Sequence, residues 1–191
     1  MIMKNRNGFT LVELLAVVVL LGIFSVYAIP HLVGMLSTSR NKLYISDAGK
    51  FVSEVELILR AKSSEIEKPD NGEALVFSLA SIDSSVFDSA PNGGEYDLNR
   101  SFVIVKNDSN QFQYSVCLVE HTSSGGYIGI DLILDESLKD KNSNSKVTPL
   151  KLSDLIDVSS SITASMVNSK LGANYLQSDS KILEVYLNPI D

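Results

Sequence analysis

The sequence predicts an α+β protein. It has one long N-terminal α-helix, membrane-spanning in its first half and amphipathic in its second. The helix packs on a C-terminal antiparallel β-sheet of three to four strands. Three observations carry this expectation. From Phe9 to Pro30 the chain is apolar, with Glu13 its one charged residue. Past residue 40, apolar residues recur at spacings of three and four. Past residue 100, short alternating runs are separated by Gly, Asn and Ser turns.

Met1 to Gly8 is polar, with Lys4 and Arg6 as its charged side chains. Basic residues ahead of a span hold that end in the cytoplasm. Phe9 to Pro30 makes about 22 residues, or ~33 Å of helix, enough to cross a hydrocarbon layer of about 30 Å. The stretch that follows, Ala28-Ile29-Pro30-His31-Leu32-Val33-Gly34, offers no small-x-small site for a signal peptidase. Periodic apolar residues continue, so the helix is expected to continue with them. Pro30 removes an N–H and clashes with the preceding turn, and Gly22 weakens the same region. A kink or a locally melted stretch is expected between them.

In the second half, Tyr44, Ala48, Phe51, Val55 and Leu59 form a stripe that Val52 and Ile58 widen. Lys42, Asp47, Lys50, Glu54 and Glu56 are placed on the opposite face. The reading is one helix over 9–62, roughly 80 Å long, with 9–30 as its transmembrane part, between a leader at 1–8 and a globular body at 63–191. Pro69-Asp70-Asn71-Gly72 breaks the helix. Glu73 to Ile82 reads as a short helix and Pro91-Asn92-Gly93-Gly94 as a turn. Strands are expected over Ser101–Lys106, Gln111–Glu120 and Tyr127–Leu134, joined as a meander. Phe112, Tyr114, Val116 and Leu118 should share one face, as should Ile128, Ile130, Leu132 and Leu134. Asp135 to Pro149 reads as a surface loop, Leu150 to Asp157 as a short helix, and Lys181 to Leu187 as a fourth strand. Ser159 to Leu171 is ambiguous.

The formal charge of −7 and pI near 4.8 argue against broad binding of nucleic acid, which needs a basic face. Cys117 is the single cysteine, so no intramolecular disulfide forms. Cys117 and His121 lie four apart on an expected strand, about 13 Å, too far for a nucleophile–base pair. Two histidines and one cysteine make no zinc set. Asp135, Glu136 and Asp140 could bind calcium, but their oxygen-ligand spacing is loose and a solvated loop is the favoured reading. No catalytic residue, metal set or cofactor is indicated, and the chain reads as a non-enzyme. Asn99-Arg100-Ser101 and Asn107-Asp108-Ser109 match the glycan acceptor pattern.

The stretch Gly8-Phe9-Thr10-Leu11-Val12-Glu13, joined to a basic leader and an apolar helix, resembles the type IV pilins and pseudopilins. The resemblance covers roughly the first third of the chain. It implies that a prepilin peptidase cuts between Gly8 and Phe9 and methylates the new amine of Phe9. It places Glu13 where family members pair a carboxylate with the terminal amine of a neighbouring subunit. It sets Gly22 and Pro30 where the family has helix-perturbing residues. The implied protein is the structural subunit of an extracellular pilus filament, a homo-oligomer built by an assembly platform and ATPase from subunits held in the cytoplasmic membrane. Twitching motility and cell adhesion are the implied roles. Alternatives within the resemblance are a pseudopilin of a type II secretion or DNA-uptake machine, or a minor tip adhesin. Many pilins close their C-terminal region with a disulfide; this chain departs from that and leaves the stabilisation of that region open.

Overall fold

The structure, a computed structural model, describes residues 9–82, 87, 89–140, 143–151, 153, 155, 162–184 and 187. The leader at 1–8, with Gly8, lies outside the described residues, as does half of the helix expected over Leu150–Asp157. The chain forms two compact units that meet between Ser39 and Arg40.

Helix α1 runs over Leu11–Ala61 and is helical at every residue, Gly22 and Pro30 included. In the single chain no stretch there is melted. Proline removes one backbone bond, and in a long cooperative helix the turns on both sides remain formed. The Ser25 hydroxyl donates to the Leu21 carbonyl at 2.8 Å and the Thr38 hydroxyl to the Gly34 carbonyl at 2.9 Å. In the first unit the helix exposes apolar side chains all round. Its most apolar 18-residue window has a mean hydropathy of 2.5 and no buried residue. A helix apolar on every side has a membrane or other chains as its surroundings.

The second unit is built on a mixed, mostly antiparallel sheet. Its strands are β1 (Ala74–Ser78), β2 (Glu95–Tyr96), β3 (Phe102–Asp108), β4 (Gln111–His121), β5 (Tyr127–Leu134), β6 (Val147–Leu150) and β7 (Ile182–Leu183). Their order is β6-β5-β4-β3-β1-β7, with β2 pairing β4. The α+β class holds, and the three expected strands are β3, β4 and β5. The sheet is larger than the three to four strands expected: it has seven among the described residues. One pair, β1 with β7, is parallel.

The physical reason for the difference is that both faces of the sheet are covered. On one face, Tyr44, Ala48, Phe51, Val52, Val55, Ile58 and Leu59 of α1 pack against Leu75, Phe77, Val103, Val105, Val116, Leu118 and Ile130. The predicted helix stripe is therefore the buried one. On the other face, Val76, Phe102, Ile104, Cys117 and Val119 form a second core with Leu155, Ile162, Ala164, Val167 and Leu176. A strand buried on both sides shows no alternation. That is why Glu73–Ile82, read as a short helix, contains instead the fully buried strand β1.

The segment expected as a loop over Asp135–Pro149 holds the short helix α2 (Asp135–Leu138) and most of β6. Strand β6 forms an edge of the sheet and carries Pro149, which edge strands tolerate. The expected face of β5 is also broken. Asp131 and Leu132 stand opposite the single residue Cys117, a β-bulge, and Leu132 has φ of 34°. Beyond the bulge the alternation slips. Ile128, Ile130 and Ile133 lie with the α1 core, Leu132 joins the second core, and Leu134 is exposed.

The second core answers how the C-terminal region holds without a disulfide. Helix α3 (Ala164–Leu171) opens on Thr163, whose hydroxyl accepts from the Met166 N–H, and ends on Gly172 at φ of 68°. The Asn168 side chain accepts from the Tyr175 and Leu176 N–H groups and donates to the Leu176 carbonyl. The Lys170 ammonium meets Asp131 at 2.5 Å, and Lys106 stacks 4.3 Å above the Tyr175 ring. Apolar burial and these polar ties link the region to β1, β3 and β5.

Cys117 sits inside this second core, 1% exposed. Burial pushes its thiol up to about 12, and only the thiolate is a nucleophile. At pH 8 the folded chain should therefore leave a thiol reagent unconsumed and react only after denaturation. Titration of the native chain at the rate of a free thiol would contradict this. Of the two glycan-acceptor triplets, Asn107 is buried and donates to the Pro69 carbonyl, whereas Asn99 lies on an exposed turn.

Candidate functional site

The site that the sequence singled out lies at the start of α1. Thr10 precedes the first helical residue, Leu11, and its carbonyl accepts from the Leu14 N–H at 3.2 Å. The first N–H groups of a helix have no partner inside it. Thr10 and Glu13 satisfy two such groups reciprocally. The Glu13 carboxylate accepts from the Thr10 N–H and from the Thr10 hydroxyl, both at 2.8 Å. The Glu13 N–H donates to the Thr10 hydroxyl oxygen at 3.3 Å. This is a capping box, with Thr10 at the N-cap and Glu13 three residues on.

Sequence reasoning assigned Glu13 to an amine and missed this second role. The signal was present in Thr10-Leu11-Val12-Glu13, a Thr-x-x-Glu pattern directly ahead of an apolar run. The arrangement fixes where the carboxylate sits without shielding it. Glu13 is exposed, as is Phe9, at 80%. A carboxylate at a helix N-terminus also faces the positive end of the helix dipole. Gly22 and Pro30 lie farther along the same helix and touch neither residue. A Cβ at Gly22 would meet nothing within 4 Å in the single chain.

Residues 3–29 match the family described as the prokaryotic N-terminal methylation motif. The chain carries the prepilin signature of type IV pilins and pseudopilins. No curated protein and no solved structure matches it. The signature covers residues 3–8 of the leader, the Gly8–Phe9 junction, Thr10, Glu13 and Gly22. It ends just short of Pro30, so the body stands on its own geometry.

Within the body, two polar groups lie on the α1 side of the sheet, where apolar packing alone was expected. Glu120 on β4 is fully buried. Its carboxylate accepts from the Tyr44 hydroxyl of α1, from the Gly94 N–H at 2.9 Å and from the Asn92 N–H at 3.2 Å. Asn92 also donates its side-chain amide to the Tyr44 oxygen at 3.0 Å and accepts from Arg40 at 3.4 Å. A buried carboxylate is tolerated only when several donors meet it, and here they come from two separate elements, α1 and the Asn92–Gly94 turn. Gly94 is required: a Cβ there would overlap the His121 carbonyl oxygen and crowd the Glu120 carboxylate.

Asp47 is the second group, and its placement corrects the sequence reading. Expected on the solvated face of the helix, it is only 8% exposed. It accepts from the Tyr96 hydroxyl at 2.8 Å and from Lys50 at 3.0 Å. Asp47 falls three after Tyr44 and four before Phe51, so it belongs to the buried stripe by position. Burial and the Asp47 charge hold the Tyr96 hydroxyl far above the usual tyrosine range, so it stays a donor. Phe87 closes the set edge-on against Phe51 and Tyr96. The segment between β1 and β3 is thus fastened to Arg40, Tyr44, Asp47 and Phe51, which lie on successive turns of one helix face.

Proposed function

We propose that the chain is the structural subunit of an extracellular type IV pilus, cut after Gly8 by a prepilin peptidase and polymerised through α1. The observation that carries this reading is the methylation motif joined to a helix whose apolar surface is exposed on every side in the single chain. In the membrane, lipid covers that surface; in a filament, the helices of neighbouring copies do. In this reading Glu13, held by Thr10, presents its carboxylate to the Phe9 amine of a neighbour. Gly22 and Pro30 mark the stretch of helix that adapts between the two environments. The assembly platform and its ATPase move the subunit from the cytoplasmic membrane to the cell surface.

The size of the body and its long loops support a pilus over a secretion or DNA-uptake pseudopilin. Intact-mass measurement of sheared surface filaments tests processing: the dominant species should begin at Phe9 and carry a methylated amine. A dominant species that retains Met1 to Gly8 would refute it. Electron microscopy of sheared material from cells with and without the gene separates a pilus subunit from a pseudopilin.

A further inference from the structure

We infer that the exposed face of α1 within the body docks into an acidic hollow on a second copy of this chain. The inference rests on the filament reading and names a contact within it. In the body, α1 buries one stripe, while Leu43, Ser46, Lys50, Ser53 and Leu57 follow one another at spacings of three and four on the exposed side. Leu43 is 53% exposed, with Lys42 exposed beside it and Lys50 two turns on.

The second surface lies at the far end of β4 and β5. A hollow of about 220 Å³ is lined by Glu56, Phe112, Tyr114, Leu134, Asp135 and Glu136, with Lys139 at its rim. Phe112 is 42% exposed and Leu134 46%. Three carboxylates thus surround two exposed apolar side chains; Lys139 pairs with Asp135 at 3.1 Å and Arg60 with Glu56 at 3.3 Å, and Glu136 is the carboxylate left to meet a neighbour.

Charge decides the occupant. Between residues 40 and 62 there are five lysines and arginines against three carboxylates; between 63 and 191 there are nine against nineteen. Copies of so acidic a body repel one another over most of their surface. The exposed α1 face is where a neighbour's acidic surface meets lysines instead. An apolar residue flanked by lysines on one surface matches an apolar hollow flanked by carboxylates on the other. Leu43 and Glu56 are 13 positions apart, ~20 Å along the helix, so the two surfaces are displaced along it. Copies anchored in one membrane share a direction. Between such copies the contact is head-to-tail and does not close, which is the condition for a helical filament.

The test uses the full-length chain in filament-producing cells. Lys42→Glu and Glu136→Lys each set like charges together across the interface, which lowers sheared filament about tenfold. The double reversal should restore it. In a second strain, Leu43→Cys with Leu134→Cys should give disulfide-linked ladders in sheared filaments, because Cys117 is buried and stays out of the reaction. Filaments that form at the wild-type level in both single reversals and show no ladder overturn the docking contact and leave the filament reading standing. Absence of filaments from the wild-type chain itself overturns both. Ladders without charge rescue would keep the contact and remove the lysine and carboxylate from it.

Discussion

Glu13→Gln is expected to abolish filament assembly while leaving the start of α1 intact, and Glu13→Val to do the same with the start of the helix weakened. The two substitutions separate the roles that meet in this side chain. A capping box accepts Gln as well as Glu at its third helical position, so Gln keeps the bonds from the Thr10 N–H and hydroxyl. It does not keep the charge. Val loses both. Insertion should persist in each, because the span becomes more apolar, and cleavage should persist because the Gly8–Phe9 junction is untouched. In the proposed filament, what both lack is the carboxylate offered to the Phe9 amine of a neighbour. Removing one partner of a buried charge pair is strongly unfavourable, so sheared filament should fall about tenfold or more in either strain. The mature subunit should accumulate in the membrane. Thr10→Val is the complement: it removes the hydroxyl and keeps the charge, and should cost less than Glu13→Gln. The quantity to measure is the ratio of sheared filament to membrane-bound mature subunit. If Glu13→Gln assembles like wild type while Thr10→Val does not, capping is the role of Glu13 and the pairing role is wrong.

Glu120→Leu is the substitution expected to cost the body most. The leucine leaves the Gly94 and Asn92 N–H groups and the Tyr44 hydroxyl facing an apolar side chain. Each buried donor without an acceptor costs about 1–3 kcal/mol, so the loss should reach about 3 kcal/mol. For a domain of this size that corresponds to a fall in melting temperature of about 6–12 °C, measured on the full chain in detergent. The loop between β1 and β3 should become the first site of proteolysis. Glu120→Gln should cost less, because one oxygen still accepts and the Tyr44 hydroxyl can turn to accept from the amide. An unchanged melting temperature for Glu120→Leu would mean that Glu120 is not what fastens the loop to the helix.

Much of this was open to inspection in the chain itself. The apolar run from Phe9 to Pro30, the Gly8–Phe9 junction with Glu13, and the stripe from Tyr44 to Leu59 depend on near neighbours in sequence. A membrane selects for length and apolarity, a peptidase reads a short motif, and a helix repeats every 3.6 residues. The three strands β3, β4 and β5 were legible for a related reason. They are joined by short turns, and turn chemistry is local. Asp47 and the capping role of Glu13 were also within reach, since each is a matter of helical spacing.

The rest was decided by partners distant in sequence. Strand β1 reads as a helix until β3 and β7 pair with it and both of its faces are buried. The slip in β5 arises from two residues facing one across the sheet, a property of the pair and not of either strand. Glu120 looks like the polar end of an alternating strand. It is buried because Tyr44, 76 positions away, and the Asn92–Gly94 turn close over it with the donors its charge requires. The C-terminal segment has no strong period of its own, and it folds where the outer face of the sheet offers it apolar area. The sequence alone determined the anchor, its processing signal and the buried stripe of its helix, because those are read one turn at a time. Tertiary structure decided the second core, the register of the sheet and the buried carboxylate, because burial of a group depends on everything that packs around it.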